Sequence, residues 1–390
     1  EKSARSDADK KLLGDIPYLN GGLFLPHQLE LDHDFNISIP DAAFENVFDF
    51  FKKYTWHLDE RIKCKENEIN PDVLGYIFEK YINQKQMGAY YTKEDITNYI
   101  CKNTIIPFLF NKHENSRYND VVPLPVKDIE PYIYDSVKKG VELELPDYIA
   151  AGLDDVSKRT RWNEPADPEY ALPTEIWREV VARRRRYEQI KADFKAGKIQ
   201  NINDFITYNL DIEAYARDWL SGLESPNAIA EFYFNNLTEI SILDPTCGSG
   251  AFLFAALNIL YDLYEICLDK MAEMSGPKTR EFREELQRVA DHSNEEYFIY
   301  KRIILNNLFG VDIMEEAVEI CKLRLFLKLV AQVDDVNRIE PLPDIDFNIK
   351  AGNTLIGYTT EQEIRDIKSK EFDFVFEGEE DILNKIKEYA

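Results

Sequence analysis

The sequence predicts an α/β protein built on a parallel sheet, and three segments carry that expectation. The apolar run Glu239–Leu243 ends in Asp244 and a tight turn, Pro245-Thr246-Cys247-Gly248-Ser249-Gly250, after which Ala251–Leu268 is rich in good helix formers. A second apolar strand, Asn307–Val311, ends at Asp312 and passes into a helix over Glu315–Val333. A third, Phe347–Ala351, leads into Gly352-Asn353-Thr354. Strands alternating with helices imply right-handed crossovers between parallel neighbours. Ligands of such sheets bind beyond the carboxyl ends of the strands, which makes Asp244, Asp312 and Asn353 candidate site residues.

The remaining elements follow in chain order. Ile16-Pro17-Tyr18-Leu19-Asn20-Gly21-Gly22-Leu23-Phe24 is a turn-bearing, aromatic segment. Ala42–Tyr54 reads as a helix, with Phe44, Val47, Phe48 and Phe51 at three/four spacing. Asn70-Pro71-Asp72 starts another, with proline in the first turn and an apolar stripe from Val73 to Tyr81. Gly88-Ala89-Tyr90-Tyr91-Thr92 is a loop before a helix over Lys93–Phe110, with Thr92 as N-cap and Asp95 three residues on. Helices are expected over Glu175–Phe194 and Ile202–Leu220, and Lys270–Tyr297 is a charged helical excursion. The expected organisation is an N-terminal region (1–60), a helical segment ending in a loop and helix (61–111), a helical insertion (112–235) and the sheet-bearing part (236–390).

Bulk properties bound the function. A chain of 390 residues with 44% hydrophobic and 13% aromatic content has material for two or three domains and a core. Ala251–Leu268 is interrupted by Asn258, Asp262 and Glu265, so it reads as a buried helix, and a cytoplasmic protein with no membrane partner is expected. The five cysteines form no Cys-x-x-Cys pair, which disfavours zinc and disulfide frameworks. A net charge of −25 argues against strong non-specific DNA binding, because phosphate neutralisation dominates that affinity. The first residue is Glu1, and sequence upstream is expected.

The turn after Asp244 has neither the Lys-Ser/Thr ending of a P-loop nor Gly-x-Gly-x-x-Gly. Its glycines permit positive φ and close approach of a ligand, and the following helix start offers free N–H groups. Asp312 suits a ribose diol, since a carboxylate accepts bonds from both hydroxyls, and Ile313 is placed to pack on an adenine face. The side-chain oxygen of Asn353 suits the adenine amino group. Asp244 and Asp312 lie 68 residues apart, far beyond the roughly 20 of a compact dinucleotide unit.

Asp-Pro-Thr-Cys-Gly-Ser-Gly, preceded by Gly-Ala-Tyr-Tyr-Thr-Lys at 88–93, resembles gamma-class adenine-N6 DNA methyltransferases. Lys93 stands where that family commonly has proline. Together with Tyr-Leu-Asn-Gly-Gly-Leu-Phe, the motifs are most similar to the type IIG restriction-modification methylases, which the BREX and DISARM phage-defence methylases resemble. The resemblance implies a Rossmann-like class I methyltransferase sheet, of which this chain holds the first half, and S-adenosyl-L-methionine as cofactor. It implies cofactor contacts from Tyr91 and Thr92 at the methionine end, and from Asp244, Thr246, Gly248, Gly250 and Phe252 in and beside the loop. Asp312 would hold the ribose, with Ile313, Asn353 and Leu355 at the adenine. The implied partners are double-stranded DNA, met through sequence further downstream, and nuclease or other defence-system subunits.

The family's catalytic Asn/Asp-Pro-Pro-Tyr/Phe motif has no counterpart here, because no Pro-Pro pair exists in these residues. The chain is therefore read as the cofactor-binding portion of a larger site-specific adenine methyltransferase, with no catalytic residue and no metal of its own. A methyltransferase acting on RNA or protein, or a non-catalytic methylase-fold subunit of a defence complex, are the alternatives. Arg183–Arg186 could meet DNA phosphates, but Glu175, Glu179 and Glu188 flank it and favour a salt-bridged, solvated helix. Asp72, Glu79 and Lys80 have the wrong spacing for a nuclease. His27 and His57 are isolated and read as structural, and Cys247 is assigned no chemistry.

Overall fold

A small parallel sheet is wrapped by helices that contribute most of the core. The computed structural model describes residues 31–32, 37–56, 68–69, 75–77, 80, 92–114, 127–274, 279–333, 343 and 345–356. The turn-bearing segment at 16–24, Tyr91, His27 and His57 lie outside them, as does most of the expected helix after Asn70.

Helix α1 (Asp41–Phe51) starts one residue earlier than its apolar spacing suggests, after Pro40. A two-residue parallel pair, Thr55–Trp56 with Glu68–Ile69, follows. Helix α2 (Glu94–Glu114) begins one residue later than expected. Ile96 and Thr97 donate to the Lys93 carbonyl, so Lys93 rather than Thr92 takes the cap position. Pro107 lies inside α2 and removes one ladder donor, which the helix tolerates on a buried face shared with Cys101, Ile105, Ile106, Leu109 and Phe110.

The first turns of helix α3 (Trp177–Lys195) belong to a small separate cluster in which Trp177, Val180 and Val181 pack with Ile149, Trp162 and Ala171, whereas its Ile190 joins the main core. The helix expected over Ile202–Leu220 is two helices, α4 (Ile202–Tyr208) and α5 (Ile212–Ser221). Asn209 breaks it by adopting the left-handed conformation at φ 50°, and Asp211 then caps α5 by accepting from the Ala214 amide at 3.1 Å. Both helices, with Ile129, Tyr132 and Ile133, join the main core.

The main core centres on α6 (Ala251–Met274), whose Leu253, Ala256, Leu257, Leu260, Leu263, Tyr264, Cys267, Leu268 and Met271 are buried. Such burial contributes roughly 1.5–3 kcal/mol per large side chain. By length and composition α6 would also cross a membrane. Here it lies between α2, α5 and the helices that follow, α7 (Arg280–Ala290) and α8 (Glu295–Asn306). Of the charged excursion expected over 270–297, only α7 is a separate charged helix, burying its Phe282, Glu285 and Val289 stripe. Helix α6 runs on to Met274, and α8 begins at Glu295 and continues to Asn306 with an apolar buried face.

Strands β1 (Ile242–Asp244), β2 (Leu308–Asp312) and β3 (Ile349–Ala351) form the sheet in the order β1-β2-β3, all parallel. Helix α9 (Glu315–Val330) packs on β2 and β3. Two buried asparagines fix the sheet at its amino-terminal edge. Asn307 donates to the Leu237 and Ile240 carbonyls at 3.1 and 2.8 Å, and its backbone carbonyl accepts from Ile242 at 2.7 Å. Asn348 donates to the Leu305 and Leu308 carbonyls at 2.9 and 3.0 Å. The strand-end acids and the glycine turn gather at the opposite edge.

Candidate cofactor site

The turn between β1 and α6 folds as its glycines require. Gly248 and Gly250 have φ of 52° and 93°, conformations that side-chain-bearing residues rarely adopt. The Cys247 amide donates to the Val311 carbonyl at 3.0 Å, and the Gly250 amide to Cys247 at 2.7 Å. The first of these bonds hangs the turn on the end of β2.

Asp312 is the organising residue. Its Oδ2 accepts from the Gly248 amide at 2.8 Å and its Oδ1 from the Met314 amide at 2.9 Å. Its backbone carbonyl accepts from Gly352 at 2.8 Å. One residue thus joins the glycine turn, the start of α9 and the loop after β3. The Thr354 hydroxyl closes the ring by donating to the Pro245 carbonyl at 3.1 Å.

Asp244 differs. Its Oδ1 accepts from the Thr246 amide at 3.1 Å, whereas its Oδ2 is buried with no hydrogen-bond partner among the described residues. Burial pushes its carboxyl above the ordinary carboxylate value, the Thr246 amide opposes that shift, and the negative Asp312 adds to it. A buried acceptor without a donor is costly in a folded protein and fits a site completed by a ligand. Nearby, burial and then Asp244 raise the Cys101 thiol to about 11. The Cys247 thiol is also pushed up, first by its hydrogen bond with Cys321 and then by burial, which suits a packing role rather than a nucleophile.

Asp244, Thr246, Gly248, Gly250, Asp312, Ile313, Asn353 and Leu355 all lie on the turn and loops at this edge. Ile313 is 63% exposed and Leu355 93%, two large apolar side chains held outside the core. Asn353 folds back, its Oδ1 accepting from the Leu355 amide at 3.0 Å, so the oxygen first considered for adenine already serves the turn. Phe252 is partly buried against the core, and its carbonyl accepts from the Cys101 thiol of α2 at 3.5 Å. Thr92 is half-buried ahead of α2, with no hydrogen bond to the turn among the described residues.

The arginine run on α3 is partly solvated, with Arg185 and Arg186 exposed and Arg183 and Arg184 half-buried, and its donors are turned to the protein rather than arranged for phosphate. Arg183 pairs with Glu175 at 2.9 Å and donates to the Tyr170 and Val137 carbonyls at 2.7 and 3.3 Å, its side chain 9% exposed. Arg184, Arg185 and Arg186 donate to the carbonyls of Val141, Leu153 and Tyr208. The run pins irregular chain to the helix, a role that the acidic flanks did not disclose. Glu179 serves instead as a capping residue, accepting from the Ile176 amide at 3.0 Å.

Residues 223–354, the stretch that holds the sheet and the turn, match the family model of the MmeI DNA-methyltransferase domain. The match is to a DNA methyltransferase domain. A putative type II restriction enzyme and methyltransferase of Methanocaldococcus jannaschii is 31% identical over 359 residues, 89% of this chain and 21% of the relative. A type II restriction enzyme and methyltransferase of Escherichia coli is 32% identical over 139 residues, 33% of this chain and 13% of the relative. The chain spans about a fifth or less of the length of these relatives. No solved structure matches it.

Two features of this methyltransferase-like segment escaped sequence reasoning. Asp312 bonds an amide 64 residues away in the turn, which no local pattern reveals. Arg324, a buried cation on α9, donates to the Ser249 carbonyl at 2.7 Å. Its only sequence signal is an arginine inside the apolar run Leu323–Leu329.

Proposed function

We propose that the chain is the S-adenosylmethionine-binding portion of an adenine-N6 DNA methyltransferase of a type II restriction-modification or phage-defence system. Its sheet would be the first half of a Rossmann-like class I methyltransferase sheet. The observation that carries this reading is the Asp312 carboxylate bonded to the Gly248 amide within a segment matching a DNA-methyltransferase domain.

The cofactor, when bound, supplies an electrophilic methyl group on a sulfonium sulfur. Asp312 would accept the ribose hydroxyls on the lone pairs left by Gly248 and Met314, so that one carboxylate orients both sugar and turn. The orphaned Asp244 Oδ2 would accept a donor from the methionine end, beside Tyr91, Thr92 and the cradle of Thr246, Gly248, Gly250 and Phe252. Ile313 and Leu355 would cover the adenine. Asn353, its oxygen used by Leu355, would turn its amide nitrogen to a ring acceptor. These residues include no Pro-Pro pair, so no step at the flipped target base is assigned to them. On this reading the protein would act in the cytoplasm, and partners beyond DNA would be nuclease or defence-system subunits.

Calorimetric titration of S-adenosylmethionine, with Asp312→Ala alongside, tests the pocket. Saturable binding that the variant loses is expected. A folded whole protein that fails to bind the cofactor would overturn the reading. Transfer of a labelled methyl group to adenine in duplex DNA, and to neither RNA nor protein, tests the acceptor.

A further inference from the structure

We propose that Arg324 is a positioning residue that holds the glycine turn in its cofactor-facing shape; this rests on the cofactor reading above. A guanidinium 2% exposed on an apolar helix is placed at a substantial desolvation cost, and here it is directed at the backbone of the turn. Nη1 donates to the Ser249 carbonyl at 2.7 Å and lies 3.4 Å from the Ser249 hydroxyl. The guanidinium carbon sits 4.4 Å from the centre of the Phe254 ring, one turn into α6, which fixes the plane of the donor.

The need for such an anchor follows from the turn's composition. Ser249 lies between two glycines with positive φ, and glycine loses more conformational freedom on folding than any other residue. The peptide unit carrying the Ser249 carbonyl ends at Gly250, whose amide is held by the Cys247 carbonyl at 2.7 Å, so the bond from Arg324 fixes the other end of the same plane. A planar donor whose geometry is set by stacking restrains it better than a flexible ammonium would.

Gly75 marks a second wall. A Cβ there would lie 2.6 Å from Nη1 and 2.9 Å from Cζ of Arg324. The segment at 75–77 therefore rests on the guanidinium, which joins the amino-terminal part of the chain to the cofactor turn. It also supplies a lever, because the nearest atoms to an added methyl group all belong to the end of the Arg324 side chain.

The experiment uses the whole protein, with hydrogen exchange of the peptide spanning 245–254 and calorimetric S-adenosylmethionine affinity as parallel readouts. Arg324→Met is expected to raise turn exchange and weaken affinity, each about tenfold, the loss of one charge-assisted hydrogen bond. Arg324→Lys should fall between it and the parent, and Gly75→Ala should shift both readouts in the same direction with the melting temperature nearly unchanged. Leu325→Ala, a neighbouring buried position on the same helix, should lower the melting temperature without selective loosening of the turn. The proposal is overturned if Arg324→Met and Gly75→Ala both leave turn exchange at the parental rate, or if Leu325→Ala loosens the turn as much as Arg324→Met. A parent that binds no cofactor, while its turn still loosens on Arg324→Met, sustains the positioning role and sinks the cofactor reading instead.

Discussion

The glycine turn after β1 and the arginine run on α3 both concentrate groups suited to an anionic or polar ligand, and they end in opposite states. On α3 each of the four guanidiniums donates into the protein, to loop carbonyls and to Glu175. At the turn a buried oxygen of Asp244 has no donor among the described residues, and two large apolar side chains stand exposed at the same sheet edge. Composition alone does not separate these cases. What separates them is whether the fold has already used the polar groups, because a buried group left unsatisfied carries a cost that a ligand can remove.

The largest expected effect tests the structural member of the pair. Arg183→Ala strands the Glu175 carboxylate and several carbonyls, and should destabilise the protein by about 3–5 kcal/mol in denaturant unfolding. It should leave S-adenosylmethionine affinity unchanged, and a selective loss of DNA or cofactor binding would break the contrast. The effect carries a pH signature. Burial acts to raise the Glu175 carboxyl, but Arg183 and the Leu172 amide outweigh it and hold it below its ordinary value. A depressed acid contributes stability that is present at neutral pH and lost as pH falls through its folded value. The gap between parent and Arg183→Ala should therefore narrow in acid.

Next is Asp312→Ala, which removes a carboxylate that accepts two amides and, on the reading above, the ribose. Its expected cost is about 2–3 kcal/mol of cofactor affinity, or roughly 30- to 100-fold, measured by calorimetry. Unfolding should move less than it does in Arg183→Ala.

Asp244 sharpens the comparison through the opposite pH sign. Its carboxyl is raised above the ordinary value, so the folded state holds a proton that the unfolded state releases. Stability from this group is fully present below the unfolded value and is lost as pH rises through the folded one. Relative to non-titrating Asp244→Asn, the ligand-free parent should lose stability between acid and neutral pH in thermal unfolding. A flat difference across that range would mean that Asp244 is not strained by its burial. Saturating cofactor should diminish the slope if a ligand donor reaches Oδ2.

How much of this was legible depended on how local the cause was. The three strands, the positive-φ glycines and the strand-end acids were readable because apolar runs and turn chemistry are encoded within a few residues. The bonds by which Asp312 and Arg324 hold the turn were not, because their partners Gly248 and Ser249 lie on another strand's loop and only tertiary pairing brings them together. The arginine run was legible only in part for the same reason. Its acidic neighbours in sequence pointed to ion pairing, which Arg183 and Glu175 make, whereas its carbonyl partners come from chain up to 46 residues away.

The smallest effect concerns a break that sequence periodicity overran. An apolar pattern continues from Ile202 to Leu220, yet Asn209 turns left-handed and Asp211 restarts the helix. The restart lets the Asp211 amide donate to the Tyr132 carbonyl at 2.8 Å and brings Tyr215 and Trp219 onto Phe110 of α2. Asn209→Gly should be nearly neutral, while Asn209→Ala should cost about 1 kcal/mol, since a Cβ without a local hydrogen-bonding group disfavours that conformation. Because the corner supports the main core and meets the arginine cluster only where Arg186 bonds the Tyr208 carbonyl, the loss should appear in thermal unfolding and leave cofactor affinity unchanged. An alanine variant as stable as the parent would mean that α4 and α5 fuse without penalty, and that the corner is set by the aromatic packing rather than by Asn209.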